Sequence, residues 1–328
     1  MQRIDSIQSM RGIAALSVVF SHVGFIKGGA FGVDLFFIIS GFIMVYITRS
    51  GFDEFIKKRF IRVVPLYWFM TMVVVFLVVI KPGLFSSTTF SYEFLIKSLL
   101  FIPFDRNGYI EPLLGVGWTL NYEMFFYLIF FVSMKISHKN RIVLASFIIF
   151  SMVIFGLLLN PDDVIMKFFT SPLLIEFIFG MVLCNLYLKD FYGVKFPGVM
   201  AGFSALCIYI ALFFVPGKEY GDFRFLVWGV PTLLVFYFLL NMSFSFFGAT
   251  FLSWVGKISY SLYLTHLFVI HGFDRLLYPM DRVELYSISV FLTSILISFL
   301  VAYVVWFIFE YKFTGYLNEM FLKREKKI

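Results

Sequence analysis

The sequence is poor in charged residues, which occupy only 14% of its 328 positions. Soluble globular proteins carry about 25% charged residues, because water must solvate their surface. Hydrophobic residues instead make up 61% of the chain and aromatic residues 22%. The chain has only two cysteines, both within apolar runs, so it is not a disulfide scaffold. This composition also excludes a soluble domain and a disordered tail, and it indicates an integral membrane protein.

Ten apolar segments are candidates to cross a bilayer, for which a helix needs about 20 predominantly apolar residues. One further stretch, residues 94–104, is too short to span and is expected to lie at the interface or re-enter. The sequence therefore predicts an all-α integral membrane protein with about ten transmembrane helices. We expect a single domain, residues 1–328, with a membrane core over 1–312 and a basic cytoplasmic tail over 313–328. The ten segments are 12–27, 32–48, 64–80, 117–135, 141–159, 168–188, 198–215, 226–240, 246–272 and 284–312.

Positive charge is unevenly distributed between the loops. When the N-terminus is placed in the cytoplasm and the segments alternate, two thirds of the 27 Lys and Arg residues fall on the cytoplasmic side. This bias follows the positive-inside rule, so both termini are expected in the cytoplasm. The net charge of +7 comes from these short clusters and does not indicate nucleic-acid binding.

Several ionisable side chains fall inside the apolar segments, where burial is costly and marks candidate functional residues. At a rise of about 1.5 Å per residue, four of them lie ~4 to ~9 Å beneath the predicted external face. These four are His22, Asp34, Glu123 and His266. Their common depth favours a site, although Asp34 could cap its helix and either histidine could be a packing residue. Glu176 and Glu310 lie at other depths and fit structural ion pairs or the membrane rim.

A basic cluster lies at the predicted cytoplasmic edge of the third segment, in KKRFIRVVP. It contains Arg59 and Arg62, and Arg11 lies at the cytoplasmic start of the first segment. An arginine fork binds phosphate through two hydrogen bonds, although basic residues also anchor helices to headgroups. Arg11 and His22 are eleven residues apart, or ~16 Å along a helix. A phosphorylated donor with a slim arm of that length, such as acyl-coenzyme A, would reach from the arginines to His22.

Five motifs follow one another over essentially the whole chain. They are Arg11-x₁₀-His22, GAFGVDLFFIISGFIM (29–44), Arg59-x-x-Arg62-x-x-Pro65, GWTLNYEMFFYL (117–128) and SYSLYLTH (259–266). Together they resemble the membrane acyltransferase-3 family. In detail the chain is similar to the ExoZ-like branch of exopolysaccharide O-acetyltransferases, through LFIP and GVGWTLNYEMFFYL.

The resemblance implies a bacterial inner-membrane enzyme of about ten helices. Such enzymes move an acyl group, usually acetyl from acetyl-CoA, to a sugar hydroxyl of a surface polysaccharide or its lipid-linked precursor. The resemblance makes His22 and Arg11 the essential pair, Asp34 and Glu123 the motif acids, and the arginines of the third segment the basic pair. Longer relatives append an extracytoplasmic hydrolase-like domain. We expect no such domain in this protein, which favours transfer within the membrane domain.

The predicted site has three parts and no metal. The catalytic residues are His22, Asp34 and Glu123, the acyl-CoA-binding residues are Arg11, Arg59 and Arg62, and the acceptor-binding residues are Trp118, Tyr122 and His266. His22 is the expected general base because imidazole exchanges protons near neutrality, and Asp34 or Glu123 is expected to orient it. A transient acyl-histidine stays open. So do a proton-coupled transporter and a non-catalytic partner of a polysaccharide assembly complex, and the sequence leaves the oligomeric state undetermined.

Overall fold

The computed structural model describes residues 5–23, 29–51, 53–81, 90–106, 108–189, 198–215, 221–241, 249–277 and 288–322. Helices dominate this part of the chain, and each of the ten predicted segments overlaps one of them. The α-helices are α1 (Asp5–His22), α2 (Gly32–Ile47), α3 (Phe55–Ile80), α4 (Tyr92–Leu99), α5 (Trp118–Ile136), α6 (Arg141–Leu159), α7 (Val164–Phe169), α8 (Ile175–Leu188), α9 (Gly198–Leu212), α10 (Val230–Asn241), α11 (Ala249–Leu277), α12 (Ile288–Val305) and α13 (Thr314–Phe321).

Helical turns of other kinds flank some of these helices. A 3₁₀ turn, Gly115–Gly117, leads into α5, and another, Pro172–Leu174, separates α7 from α8. A π-helical turn, Phe225–Gly229, leads into α10, and a longer one, Trp306–Phe313, joins α12 to α13. π-helical turns are rare and often accompany functional sites.

Membrane-spanning character is visible in the described helices. Six helical stretches in the described part of the chain are long and apolar enough to cross a bilayer, and Gly32–Ile47 and Met200–Leu212 are shorter apolar helices. The prediction of a predominantly helical membrane protein is therefore confirmed. The count of ten spans and the side on which the termini lie remain predictions.

Two of the helix boundaries that differ from the sequence prediction concern predicted site residues. α1 ends at His22, whereas the predicted segment continues to residue 27, and residues 24–27 lie outside the described part of the chain. α3 begins at Phe55 rather than at residue 64, so Arg59 and Arg62 lie within the helix. Hydropathy misses this first part because KKRFIR is charged, while long basic side chains can lie along a helix with their heads in water.

The segment at residues 94–104 is not a spanning helix, as predicted. It contains the end of α4, whose N-cap Ser91 accepts a hydrogen bond from the Phe94 amide. At about 1.5 Å per residue, eight residues reach only ~12 Å. A two-stranded antiparallel hairpin follows, in which β1 (Asp105–Arg106) pairs with β2 (Tyr109–Ile110), a small departure from the all-α prediction.

The chain divides into two compact units. Unit 1 comprises residues 1–46 and 175–306, and unit 2 comprises residues 47–174 and 307–328. The residues assigned to a cytoplasmic tail begin with α13, which packs against α3 in unit 2. The basic residues from 323 onward lie outside the described part of the chain.

Glycines allow two pairs of helices in unit 1 to pack backbone to backbone. A Cβ atom on Gly256 of α11 would lie 1.8 Å from the Gln8 carbonyl oxygen of α1. A Cβ atom on Gly180 of α8 would lie 1.9 Å from the Ile38 carbonyl oxygen of α2. Small residues at such crossings are the usual means by which membrane helices approach closely. α1 and α11 run in the same direction.

In unit 2, α3 packs antiparallel to α5. Near the start of α3, the Phe55 ring lies parallel to the Phe131 ring of α5, with centroids 6.4 Å apart. About three turns further along α3, the Tyr67 ring fills the space beside Gly117, where a Cβ atom would lie 2.6 Å from the ring. This arrangement brings the charged first half of α3 alongside the middle of α5.

Candidate functional site

His22 is the last residue of α1, and its ring is held by the helix that carries it. Its Nδ1 atom lies 2.8 Å from the Val18 carbonyl oxygen and 3.2 Å from Ser21 Oγ. A carbonyl oxygen only accepts, so Nδ1 carries the proton of the neutral ring and Nε2 carries the lone pair. The side chain is exposed. His22 therefore presents a basic nitrogen at the end of a helix.

The structure brings His266 into contact with His22, as the common predicted depth suggests. The two ring centroids are 5.1 Å apart and the ring planes are inclined by 62°. His266 is fully buried on α11, and its Nδ1 atom lies 3.1 Å from the Leu262 carbonyl oxygen. Its Nε2 atom has no hydrogen-bond partner in the described structure. Among the described residues, no group of three or more His, Cys, Asp or Glu is placed to hold a metal.

Asp34 pairs with an arginine that the sequence analysis did not single out. Asp34 lies in the first turn of α2 with no exposed surface. Arg224 donates to both of its carboxylate oxygens, from Nε at 3.3 Å and from Nη2 at 2.7 Å. The guanidinium carbon also lies 4.8 Å from the centroid of the Trp228 ring. Asp34 is therefore the anion of a two-pronged ion pair, whereas the sequence offered it as one of two possible partners of His22 or as a helix cap.

Glu176 adds a second buried carboxyl group to this pair. It lies in the first turn of α8, is fully buried, and interacts with both Asp34 and Arg224. Neither of its oxygens receives a hydrogen bond from a described donor. We name Asp34, Glu176 and Arg224 the acid–arginine cluster, in which two buried carboxyl groups lie beside one arginine. The role expected for Glu176, a structural ion pair or a place at the membrane rim, stays a prediction.

Only weak sequence signals point to Arg224. It stands just before the eighth apolar segment, where a single basic residue looks like an ordinary loop charge. The stronger signal is indirect, because two carboxyl groups inside apolar segments require a cation. The π-helical turn that begins at Phe225, directly after Arg224, is visible only in the structure.

Unit 2 holds a second group of charged residues. The Arg59 guanidinium interacts with the Tyr127 hydroxyl, and Glu123 and Arg62 lie close enough for their charges to act on it. Tyr127 in turn donates a hydrogen bond to Glu123 Oε1. The Nε atom of Arg59 is buried with no hydrogen-bond partner among the described residues. We name Arg59, Arg62, Glu123 and Tyr127 the arginine cluster; its two cations against one anion suit a phosphate group.

The arginine cluster corrects the depth assigned to its members. The sequence places Glu123 ~9 Å beneath the external face and the arginines at the opposite edge, yet the structure has them interacting. The difference has two causes: α3 begins earlier than predicted, and arginine side chains extend along the helix. Tyr127 was missed, although its position four residues after Glu123 places both on one helical face.

The remaining predicted residues differ in accessibility. Trp118 is the first residue of α5 and is half-buried, and its ring lies edge-on to Tyr122 with centroids 5.9 Å apart. Tyr122 is buried and stacks on Phe168 at 3.9 Å, so that face of its ring is not available to a sugar. Arg11 lies on α1, partly exposed, and the unbroken helix preserves its spacing of ~16 Å from His22.

Comparison with known families and proteins gives consistent results. The profile of the family described as "Acyltransferase domain" matches residues 4–310. The exopolysaccharide production protein ExoZ of Rhizobium meliloti (strain 1021) is 34% identical over 249 residues, which cover 74% of this chain and 77% of that protein. The O-acetyltransferase OatA of Staphylococcus aureus (strain NCTC 8325 / PS 47) is 27% identical over 340 residues, which cover 91% of this chain.

The extent of these matches differs. The chain spans about half the length of the staphylococcal relative, 55% of it, but most of the rhizobial one. No solved structure matches the chain. The family profile covers nearly all of the sequence and includes both charged groups described above. The chain therefore belongs to the acyltransferase family of this profile, and it is a membrane-bound O-acyltransferase.

Proposed function

We propose that this enzyme transfers an acetyl group from acetyl-CoA to a hydroxyl of a surface polysaccharide or its lipid-linked precursor, in the bacterial inner membrane. The names of the relatives support the acyl group and the acceptor, since one is an exopolysaccharide production protein and the other an O-acetyltransferase. The observation that carries the mechanism is the orientation of His22. Its Nδ1–H is held by Val18, and its exposed ring offers the Nε2 lone pair.

In this mechanism His22 is the general base. Its Nε2 takes the proton of the sugar hydroxyl while the hydroxyl oxygen forms a bond to the thioester carbonyl carbon. The carbon–sulfur bond then breaks, and the proton passes from His22 to the sulfur of the departing coenzyme A. Protons and electrons balance, and His22 returns to its starting form. The Val18 carbonyl holds the ring in one tautomer throughout, a role that the sequence gave to Asp34 or Glu123.

The arginine cluster is the proposed site for the phosphates of the donor. Arg59 and Arg62 would each donate charged hydrogen bonds to phosphate oxygens. Glu123 and Tyr127 would hold Arg59 in place through the contacts described above. Arg11 is a third proposed contact, because its spacing from His22 on one helix matches the length of a pantetheine arm.

Asp34 is proposed to act on His22 indirectly, through the packing of α2 against α1. The Arg224 ion pair fixes the first turn of α2, and Gly32 at the start of that helix packs against α1. A Cβ atom on Gly32 would lie 2.4 Å from the Ala14 carbonyl oxygen, two turns before His22. Asp34 would thus support the helix that presents the base. Trp118 is the stronger proposed contact for a sugar ring, since Tyr122 is covered by Phe168.

The test is transfer of radiolabel from acetyl-CoA to polysaccharide in membrane vesicles of the source bacterium, with its own copy of the gene deleted. We expect His22→Ala to lower transfer at least about 100-fold, the usual contribution of a positioned base. His138→Ala is the matched control, because His138 Nε2 lies 2.8 Å from the Thr48 carbonyl oxygen in unit 2, remote in sequence from His22. A folded His22→Ala variant with full activity would remove His22 from the mechanism. Solute uptake into liposomes without acetyl-CoA would instead revive the transporter interpretation.

A further inference from the structure

The buried His266 has an unsatisfied ring nitrogen beside the proposed base. We propose that His266 is a positioning residue that accepts a hydrogen bond from the protonated form of His22 during acyl transfer. This inference rests on the proposed role of His22 as the general base. It makes His266 a partner of His22, whereas the sequence analysis expected His266 to bind the acceptor sugar.

The ring nitrogens of His266 have distinct roles. Nδ1 lies 3.1 Å from the Leu262 carbonyl oxygen, which can only accept, so Nδ1 carries the proton. Nε2 therefore holds a lone pair, and it is buried with no donor among the described residues. Buried polar atoms are nearly always hydrogen-bonded, so an unpaired acceptor calls for an explanation. A donor that is present only during the reaction provides one.

Two neighbours other than His22 also face His266. The Tyr263 ring lies on the same helix with its centroid 6.0 Å away, and the exposed His271 acts on His266 electrostatically. His22 is nearer, at 5.1 Å between centroids. At that separation, facing nitrogen atoms of two five-membered rings come within ~3 Å, the length of a hydrogen bond. A small rotation of the exposed His22 ring would achieve this.

Protonation of His22 supplies the missing donor. The neutral ring has one N–H, and Val18 receives it. When His22 takes the proton of the sugar hydroxyl, Nε2 gains an N–H that can point at His266 Nε2. The hydrogen bond stabilises the imidazolium until the proton passes to the sulfur of coenzyme A, so His266 neither gains nor loses a proton. Hydrogen bonds that involve a charged group are the stronger kind.

The packing of α1 against α11 keeps the two rings in register. Gly12 and Gly256 allow the backbones to touch, and a Cβ atom on Gly12 would lie 2.2 Å from the Leu252 carbonyl oxygen. A side chain at either glycine would separate the helices. The contact between the two histidine rings therefore depends on the close approach of the α1 and α11 backbones at Gly12 and Gly256.

Three variants in the vesicle assay test the proposal. His266→Leu removes the acceptor, and we expect kcat to fall about 10- to 100-fold with the KM for acetyl-CoA unchanged, the loss of one charged hydrogen bond. His266→Gln keeps a side-chain acceptor and should restore most of the activity. Thr265→Val is the control, because Thr265 is also buried and its hydroxyl donates to the Ser261 carbonyl oxygen of its own helix. Equal losses in His266→Leu and His266→Gln would overturn the proposal.

A second measurement does not depend on activity. In purified protein labelled with ¹⁵N-histidine, an N–H···N coupling between the rings of His22 and His266 should appear at pH 5, below the ordinary range for histidine. It should disappear in His266→Leu. If wild-type vesicles transfer no acetyl group, the proposed function fails, while the coupling still decides whether the two rings pair. Absence of the coupling in the wild-type protein would refute the pairing.

Discussion

Arg224 allows a quantitative test of the acid–arginine cluster. Asp34 is 0% exposed and the Arg224 side chain only 14% exposed, so the pair is screened little by solvent. Arg224→Ala leaves a buried carboxylate without its cation, which costs about 3–5 kcal/mol in comparable buried pairs. Loss of the contact with the Trp228 ring adds about 0.5–2 kcal/mol. We expect Arg224→Ala to be among the most destabilising single substitutions in unit 1.

Further variants of the acid–arginine cluster distinguish the effect of its charges from the effect of its side-chain geometry. Arg224→Lys keeps the charge but loses the two-pronged geometry, a cost of about 1.5–3 kcal/mol, roughly one charged hydrogen bond. Adding Asp34→Asn to Arg224→Ala removes the unpaired charge and should recover part of the lost stability. Glu176→Gln should be closer to wild type than Arg224→Ala, because it keeps the shape of the side chain and removes one of the two carboxyl groups that lie beside a single cation.

Thermal unfolding of the purified variants in detergent, followed by tryptophan fluorescence, gives the order of stability. Lys97→Ala is the reference, since its ion pair with Glu93 is largely exposed, with side chains 34% and 66% accessible. Exposed pairs contribute about 0–1 kcal/mol. The reasoning would be refuted if Arg224→Ala melted together with Lys97→Ala. It would also be refuted if the double variant were no more stable than Arg224→Ala alone.

Two further predictions concern donor binding and helix packing. Arg59→Ala or Arg62→Ala should weaken acetyl-CoA binding by about 1–3 kcal/mol in calorimetry, because each removes charged hydrogen bonds to phosphate; unchanged affinity would exclude that arginine from the donor site. Gly256→Ala should lower the melting temperature, at a cost of about 1–3 kcal/mol, because its Cβ would lie 1.8 Å from the Gln8 carbonyl oxygen. Gly315→Ala in α13, with nothing within 4 Å, should be neutral or slightly stabilising. Equal melting temperatures for these two glycine variants would contradict the close packing of α1 and α11.

The contact between His22 and His266 could be anticipated from the sequence. Both histidines stand near the predicted outer ends of segments that cross in the same direction, so their depths agree. Counting residues along a helix gives such depths directly, because the rise per residue is constant. The depths estimated in this way did not predict the interaction between Glu123 and Arg59, because residue number along a helix does not show how far a long side chain reaches. Counting also failed at the start of α3, where charged residues continue a helix beyond its apolar part.

The sequence by itself determined that this chain is a helical membrane enzyme and which family it belongs to. In lipid every backbone polar group must be satisfied within its own helix, so apolar length alone predicts where helices form. Only the tertiary structure decided that Asp34 and Glu176 meet Arg224, and that Tyr127 lies between Arg59 and Glu123. Which charges face each other depends on the rotation and closeness of neighbouring helices. Those are set by side-chain packing and by small residues such as Gly180 and Gly256, whose effect appears only when two helices are in contact.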